Sequence, residues 1–105
     1  MNINYNNFKL FLTQIAEMTD EEFELVVPYL ETKEIKKGEY FIKEGIHCKH
    51  IAFINEGLFR VFLLKKGTEL NTCFCLQNEV MSSFDSLVND TFSKENIQAL
   101  EDSFI

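Results

Sequence analysis

The sequence predicts a mainly β domain, a barrel or sandwich, entered through helices at its N-terminus. From Lys33 onward, short apolar runs recur at roughly 8–12 residue spacing, the rhythm of an all-β barrel or sandwich and not of alternating strands and helices. All four glycines of the chain fall between those runs, where a positive φ is cheap for Gly. Before Lys33 the apolar residues follow a helical period instead.

The helical part has two elements. Phe8, Phe11, Leu12 and Ile15 stand at i, i+3, i+4 and i+7, one face of a helix. Thr19-Asp20-Glu21-Glu22 has the Ser/Thr-x-x-Glu form of a capping box, and its acids suit the positive end of a helix dipole. Those acids therefore need no partner. Phe23, Val26 and Val27 continue that second helix with an apolar face, and Pro28, lacking an amide proton, ends or kinks it.

The strands follow in order. Glu34-Ile35-Lys36 is a first short strand, with Lys37-Gly38 as its turn, and Tyr40-Phe41-Ile42 a second, closed by Glu44-Gly45. Ile51 to Ile54 is a third, Leu58 to Leu64 a fourth, and Glu69 to Leu76 a fifth after the turn Lys65-Lys66-Gly67-Thr68. Asp85 to Val88 forms a helical turn, Asn89 and Asp90 a loop, and Asn96 to Leu100 another strand. Ser103-Phe104-Ile105 starts a last strand that is expected to be incomplete, which would leave a neighbour partly unpaired and prone to self-association. Phe41, Phe53, Phe59, Phe62, Phe74 and Phe84 are expected in the core, with a Phe-lined pocket for an apolar effector as the alternative.

With 105 residues there is room for one domain, read as a helical lead-in over 1–30 and a β part over 31–105. An apolar share of 46%, with eleven Phe, is globular composition. The net charge of −7 makes nucleic acid and anionic membrane surfaces poor partners for this domain, since both are held through Lys and Arg. No apolar stretch approaches the roughly 18 residues that span a bilayer. Met1 to Lys9 lacks the basic start and apolar run of a signal peptide, so the reading is cytosolic.

Three cysteines, an odd number, argue against a disulfide framework. Cys73 and Cys75 share one face of a strand, and without a second ligand pair at zinc spacing they read as small packing residues. His47 and His50 flank Cys48 in a loop, and as the only two histidines they make a solvated loop the better reading than a metal site. Ser82 and Ser83 with Asp85 resemble hydrolytic residue types, but no base accompanies them, so no enzyme activity is expected.

Helices, then Lys36-Lys37-Gly38-Glu39-Tyr40-Phe41-Ile42-Lys43-Glu44-Gly45, then Phe53-Ile54-Asn55-Glu56-Gly57-Leu58-Phe59-Arg60, and finally Ile97-Gln98-Ala99-Leu100-Glu101-Asp102-Ser103, resemble the cyclic-nucleotide-binding domain of the Crp–Fnr family of bacterial transcription regulators. The match runs over almost the whole chain. It implies a double-stranded β-helix jelly roll with N-terminal helices. It also implies a long dimerisation helix and a winged helix-turn-helix beyond these residues, through which DNA would be bound by a homodimer.

In family members that bind cyclic AMP, a Gly-Glu pair and a later Arg hold the ligand, the Arg on the cyclic phosphate and the Glu on the ribose hydroxyl. Aligned without a gap, Ser82 and Ser83 stand where Gly and Glu would be, followed by Phe84, Asp85 and Ser86, and Ser93 stands where the Arg would be, with Lys94, Glu95 and Asn96 after it. No Arg follows Arg60, and Lys94 is the only nearby cation. The expected site is thus a degenerate phosphate-binding cassette of Ser82, Ser83, Phe84, Asp85, Ser86, Ser93, Lys94 and Asn96, with no cofactor, no metal and no cyclic AMP. Two function classes remain: a sensor domain of a transcription regulator that binds a small ligand other than cyclic AMP or none, or a β-roll protein-interaction module. A heptad-like helix followed by a helix-turn-helix further along the chain would mark the first.

Overall fold

The computed structural model describes residues 5–105. Of the lead-in expected over 1–30, residues 1–4 therefore lie outside the described residues.

Helix α1 spans Asn6–Ala16 and α2 Asp20–Val26, the latter continued by a 3-10 turn at Val27–Tyr29 that carries Pro28. The capping box is formed: the Glu22 amide donates to Thr19 Oγ1 at 3.2 Å, and the Thr19 amide to Glu22 Oε1 at 3.4 Å. Replacing Thr19 by Ala removes the acceptor for one orphan amide and is expected to cost about 1 kcal/mol. Hydrogen exchange of the Glu22 amide should rise by about fivefold; unchanged exchange would show that the cap contributes nothing.

Eight strands follow: β1 Glu34–Ile35, β2 Tyr40–Ile42, β3 Ala52–Phe53, β4 Leu58–Lys65, β5 Thr68–Leu76, β6 Val80–Met81, β7 Asn96–Ala99 and β8 Ser103–Phe104, with helix α3 at Phe84–Asn89 between β6 and β7. All pairings are antiparallel. One layer has the order β2-β7-β4-β5. β1 pairs with β8 and β3 with β6, and a bridge from Glu56 to Phe104 joins these two pairs into a second layer, β1-β8-β3-β6. Two four-stranded layers with these orders are a jelly roll. The last strand is held on both sides, by Glu34 and Ile35 and by Glu56, and its pairing runs on through the Lys33–Ile105 backbone bonds.

The β4–β5 hairpin turns through Lys66 (φ 52°) and Gly67 (φ 80°). Positive φ at both central residues of a two-residue loop matches the right-handed twist of the flanking strands. The interior is filled by Ile35, Ile42, Cys48, Ala52, Ile54, Phe59, Val61, Met81, Ile97 and Ala99. The helices close one outer side: Phe8 and Phe11 lie 5.2 and 5.4 Å from the Phe53 ring, and Phe8 lies edge-on to Phe23. Among the described residues no helix is long and apolar enough to cross a membrane.

Three sequence expectations about burial are corrected here. Ile15, the last member of the α1 stripe, is exposed, because the docked part of α1 ends at Phe11 and Leu12. Phe74 and Phe84 are about half exposed, while Phe53, Phe59 and Phe62 are buried. Phe74 points outward from edge strand β5, opposite Arg60, and Phe84 opens α3 on the surface. Cys73 is exposed, so only Cys75 packs on the core as both were expected to.

Candidate ligand site: a serine-filled cassette between β6 and β7

The segment from β6 through α3 to β7 turns small hydroxyl side chains inward. Ser82, Ser83, Ser86 and Ser93 are all buried. The Ser83 and Ser93 hydroxyls bond to each other at 2.9 Å. Ser93 Oγ also accepts from the Glu95 amide at 3.1 Å, and Ser83 Oγ lies 3.4 Å from the Glu95 carboxylate. The two positions that the resemblance assigns to the ribose acid and the phosphate arginine thus face each other, ten residues apart in sequence.

The other expected residues are placed differently. Ser82 Oγ donates to the His50 carbonyl at 2.8 Å and sits 3.2 Å from Cys48 Sγ. Ser86 Oγ accepts from the Cys48 amide and donates to the Thr91 carbonyl, which closes the turn after α3. Asn96 Oδ1 accepts from the Glu44 amide at 2.9 Å, fastening the end of β2 to β7. Asp85 accepts from Asn89 one turn on, within α3. Phe84 and Lys94 are exposed. Only Ser83 and Ser93 therefore form a facing pair; Ser82, Ser86 and Asn96 spend their polar groups on backbone.

Sequence reading missed the contribution of residues 46–50. Cys48 ties this loop to the cassette through both its amide and its thiol, and His47 Nδ1 lies 3.3 Å from Asp90 Oδ1 with its ring edge-on to Phe92. The hydrogen-bond partners lie 34 to 43 residues away in sequence, and no local pattern marks them. The two histidines do not converge on a metal: His47 turns to Asp90, and His50 is exposed and offers its carbonyl to Ser82. Among the described residues no group of three or more His, Cys, Asp or Glu is placed to hold a metal ion.

Electrostatically the cassette is neutral to acidic. The only arginine of the sequence, Arg60, lies on the outer face of the four-stranded layer. Its guanidinium donates to both Glu69 carboxylate oxygens at 3.1 Å and to Gln98 Oε1 at 2.7 and 2.9 Å, and it stacks 3.9 Å from the Phe62 ring. Its neighbours on β4, Phe59 and Val61, face the interior. A side chain so held, on the wrong side of the sheet, is no partner for an anion inside the roll.

A jelly roll of this strand order, capped by helices and carrying a short helix and loop between its sixth and seventh strands, is the architecture of a cyclic-nucleotide-binding domain. Comparison with solved structures gives the same class. The chain is similar to the Catabolite Activator Protein of Thermus thermophilus (TM-score 0.74, 19% identity, 90% of this chain and 43% of that one). It is similar to cAMP-bound PfPKA-R (TM-score 0.82, 16% identity, 99% of this chain and 39% of that one). It is also similar to the sensor domain of the transcriptional regulator DNR from Pseudomonas aeruginosa (TM-score 0.80, 12% identity, 95% of this chain and 67% of that one). The chain thus spans about two-fifths of the length of the first two. No protein-family profile matches it, and no curated protein does. The likeness at these identities is one of fold, and the chain has the cyclic-nucleotide-binding fold.

Proposed function

We propose that this chain is the effector-sensing domain of a Crp–Fnr-type transcription regulator whose cassette has lost the chemistry for a cyclic phosphate. One observation carries the reading: the hydroxyls of Ser83 and Ser93, the residues that the resemblance sets at the ribose acid and the phosphate arginine, bond to each other at 1% and 2% exposure. A phosphate diester is held by charge-assisted donors, above all by a guanidinium fork. Here two neutral hydroxyls satisfy each other, the Glu95 carboxylate stands beside them, and the one arginine is engaged elsewhere by Glu69 and Gln98. The one nearby cation is Lys94, whose side chain is exposed. The effector is therefore a small molecule other than a cyclic nucleotide. The wider reading is of a cytosolic regulator that works as a homodimer and reaches DNA through a C-terminal domain outside these residues, with no membrane partner.

A protein-interaction module without a ligand is the second reading. The exposed side chains of Phe84, Val88 and Phe92 around α3 favour it.

Calorimetric titration with cyclic AMP and cyclic GMP tests the main proposal. Losing a charge-assisted pair to the phosphate and an acid to the ribose removes about 1.5–3 kcal/mol each. A micromolar site then falls into the millimolar range or beyond. A dissociation constant at or below about 10 μM, on the same scale, would sink the idea. Native mass spectrometry of the purified protein separates the two readings: a bound small molecule supports the sensor, and its absence under effector-rich expression supports the interaction module.

A further inference from the structure

Cys73 and Cys75 are left without a role by the cassette. They alternate with Phe74 on β5, so both side chains stand on one face of the strand. Their partners across the ladder are Val61 and Phe59, which are buried in the roll, so that face is the inner one. β5 is the edge of its layer, and Cys73 is exposed there while Cys75 is half-buried against the core. Both are free thiols.

Strand geometry decides what such a pair can hold. Residues two apart on a strand are about 6.7 Å apart, with parallel side chains. A disulfide needs its Cβ atoms within about 3.5–4.5 Å, so direct oxidation would demand distortion of the strand. A metal ion inserted between the sulfurs, with bonds of about 2.3 Å to each, widens the bridge enough to fit. A tetrahedral ion needs four ligands, and no further His or Cys joins the pair among the described residues. The ion has to be soft and satisfied by two ligands.

We propose that Cys73 and Cys75 form a two-thiolate site on the inner face of β5 for a monovalent soft metal ion, copper(I) by chemical class. Binding forms two metal–sulfur bonds, breaks two S–H bonds and delivers two protons to solvent; no electron is transferred. Burial, followed by the neighbouring Cys73, pushes the Cys75 thiol up to about 11, and the carboxylates of Glu79 and Glu95 act in the same direction.

The test is anaerobic titration of the full chain with copper(I), in competition with a chromophoric chelator, on the parent and on Cys73→Ser, Cys75→Ser and the double variant. Circular dichroism confirms that each is folded, and Cys75→Ala is a second replacement at the half-buried position. One equivalent per monomer is expected, with a sulfur-to-metal ultraviolet band and no change in oligomeric state. Two joined ligands exceed one by a large effective-concentration factor, so each single variant should lose at least about a hundredfold in affinity. The double variant should lose the band. Parent-like affinity in a single variant would overturn the proposal. So would a band that survives in the double variant, which would place the metal on Cys48, or one ion per two monomers, which would place it between chains.

Discussion

Gly57→Ala is expected to lower the melting temperature by at least about 8 °C. Gly57 has φ +134°, and a Cβ placed there would lie 2.0 Å from Ser103 Oγ, 2.3 Å from Ser103 Cβ and 3.0 Å from its Cα. Ser103 is fully buried and pairs with Ile35, so it has nowhere to go without moving β8 off β1. Gly57 also adjoins Glu56, whose bridge to Phe104 joins the two halves of the second layer. The backbone strain and the overpacking together cost about 2–6 kcal/mol. A domain this small has only about 5–15 kcal/mol in total. Gly38→Ala is the control, since φ there is +90° but no heavy atom lies within 4 Å of the added Cβ. Thermal melts of the two variants separate conformational strain from collision. Equal losses in both would show that the Ser103 contact is not what demands glycine at 57.

Ser83→Glu combined with Ser93→Arg is expected to raise the affinity for cyclic AMP by roughly a hundred- to ten-thousandfold, following from the proposed loss of the phosphate chemistry. The two hydroxyls already face each other, so the longer side chains start from adjoining points. Each added charge-assisted bond to the ligand contributes about 1.5–3 kcal/mol. The free variant should be less stable than the parent, because two charges enter a place now filled by neutral groups. Ser93→Arg alone should recover about half of the free energy. Calorimetry on variants shown to be folded gives the answer. A folded double variant that binds cyclic AMP no better than the parent would mean that these two positions do not decide the specificity.

Much of the fold is legible in the chain because its signals are local. Thr19 and Glu22 are three residues apart, and the capping box they announce is the one formed. The turns at Gly38, Gly45, Gly57 and Gly67 have the positive φ that their positions between apolar runs imply. Tyr40–Ile42 is a strand as read, and the long hairpin of β4 and β5 lies within a residue or two of its expected limits. β6 was legible only as a lead-in to the cassette, since Val80 and Met81 are too few to show a period. The candidate site was legible as a list of positions, through resemblance. That Ser83 and Ser93 bond to each other, while Ser82 and Ser86 are tied to residues 48–50, was not.

The sequence by itself determined where the second helix starts and stops, where the chain turns, that the strands are short and apolar, and that the chain has a single arginine. These are properties of neighbouring residues or of composition, and neither depends on what the chain later folds against. Tertiary structure alone decided the strand orders β1-β8-β3-β6 and β2-β7-β4-β5, because pairing across a sheet joins residues as distant as Glu34 and Phe104 through backbone groups that every residue carries. It also decided which side of the sheet each residue meets. Arg60 stacks on Phe62 outside the roll, Phe74 faces solvent from an edge strand, and Cys73 and Cys75 face inward at an open margin. Alternation along a strand fixes only that neighbours point to opposite faces; which face is the interior is settled by packing against the rest of the molecule.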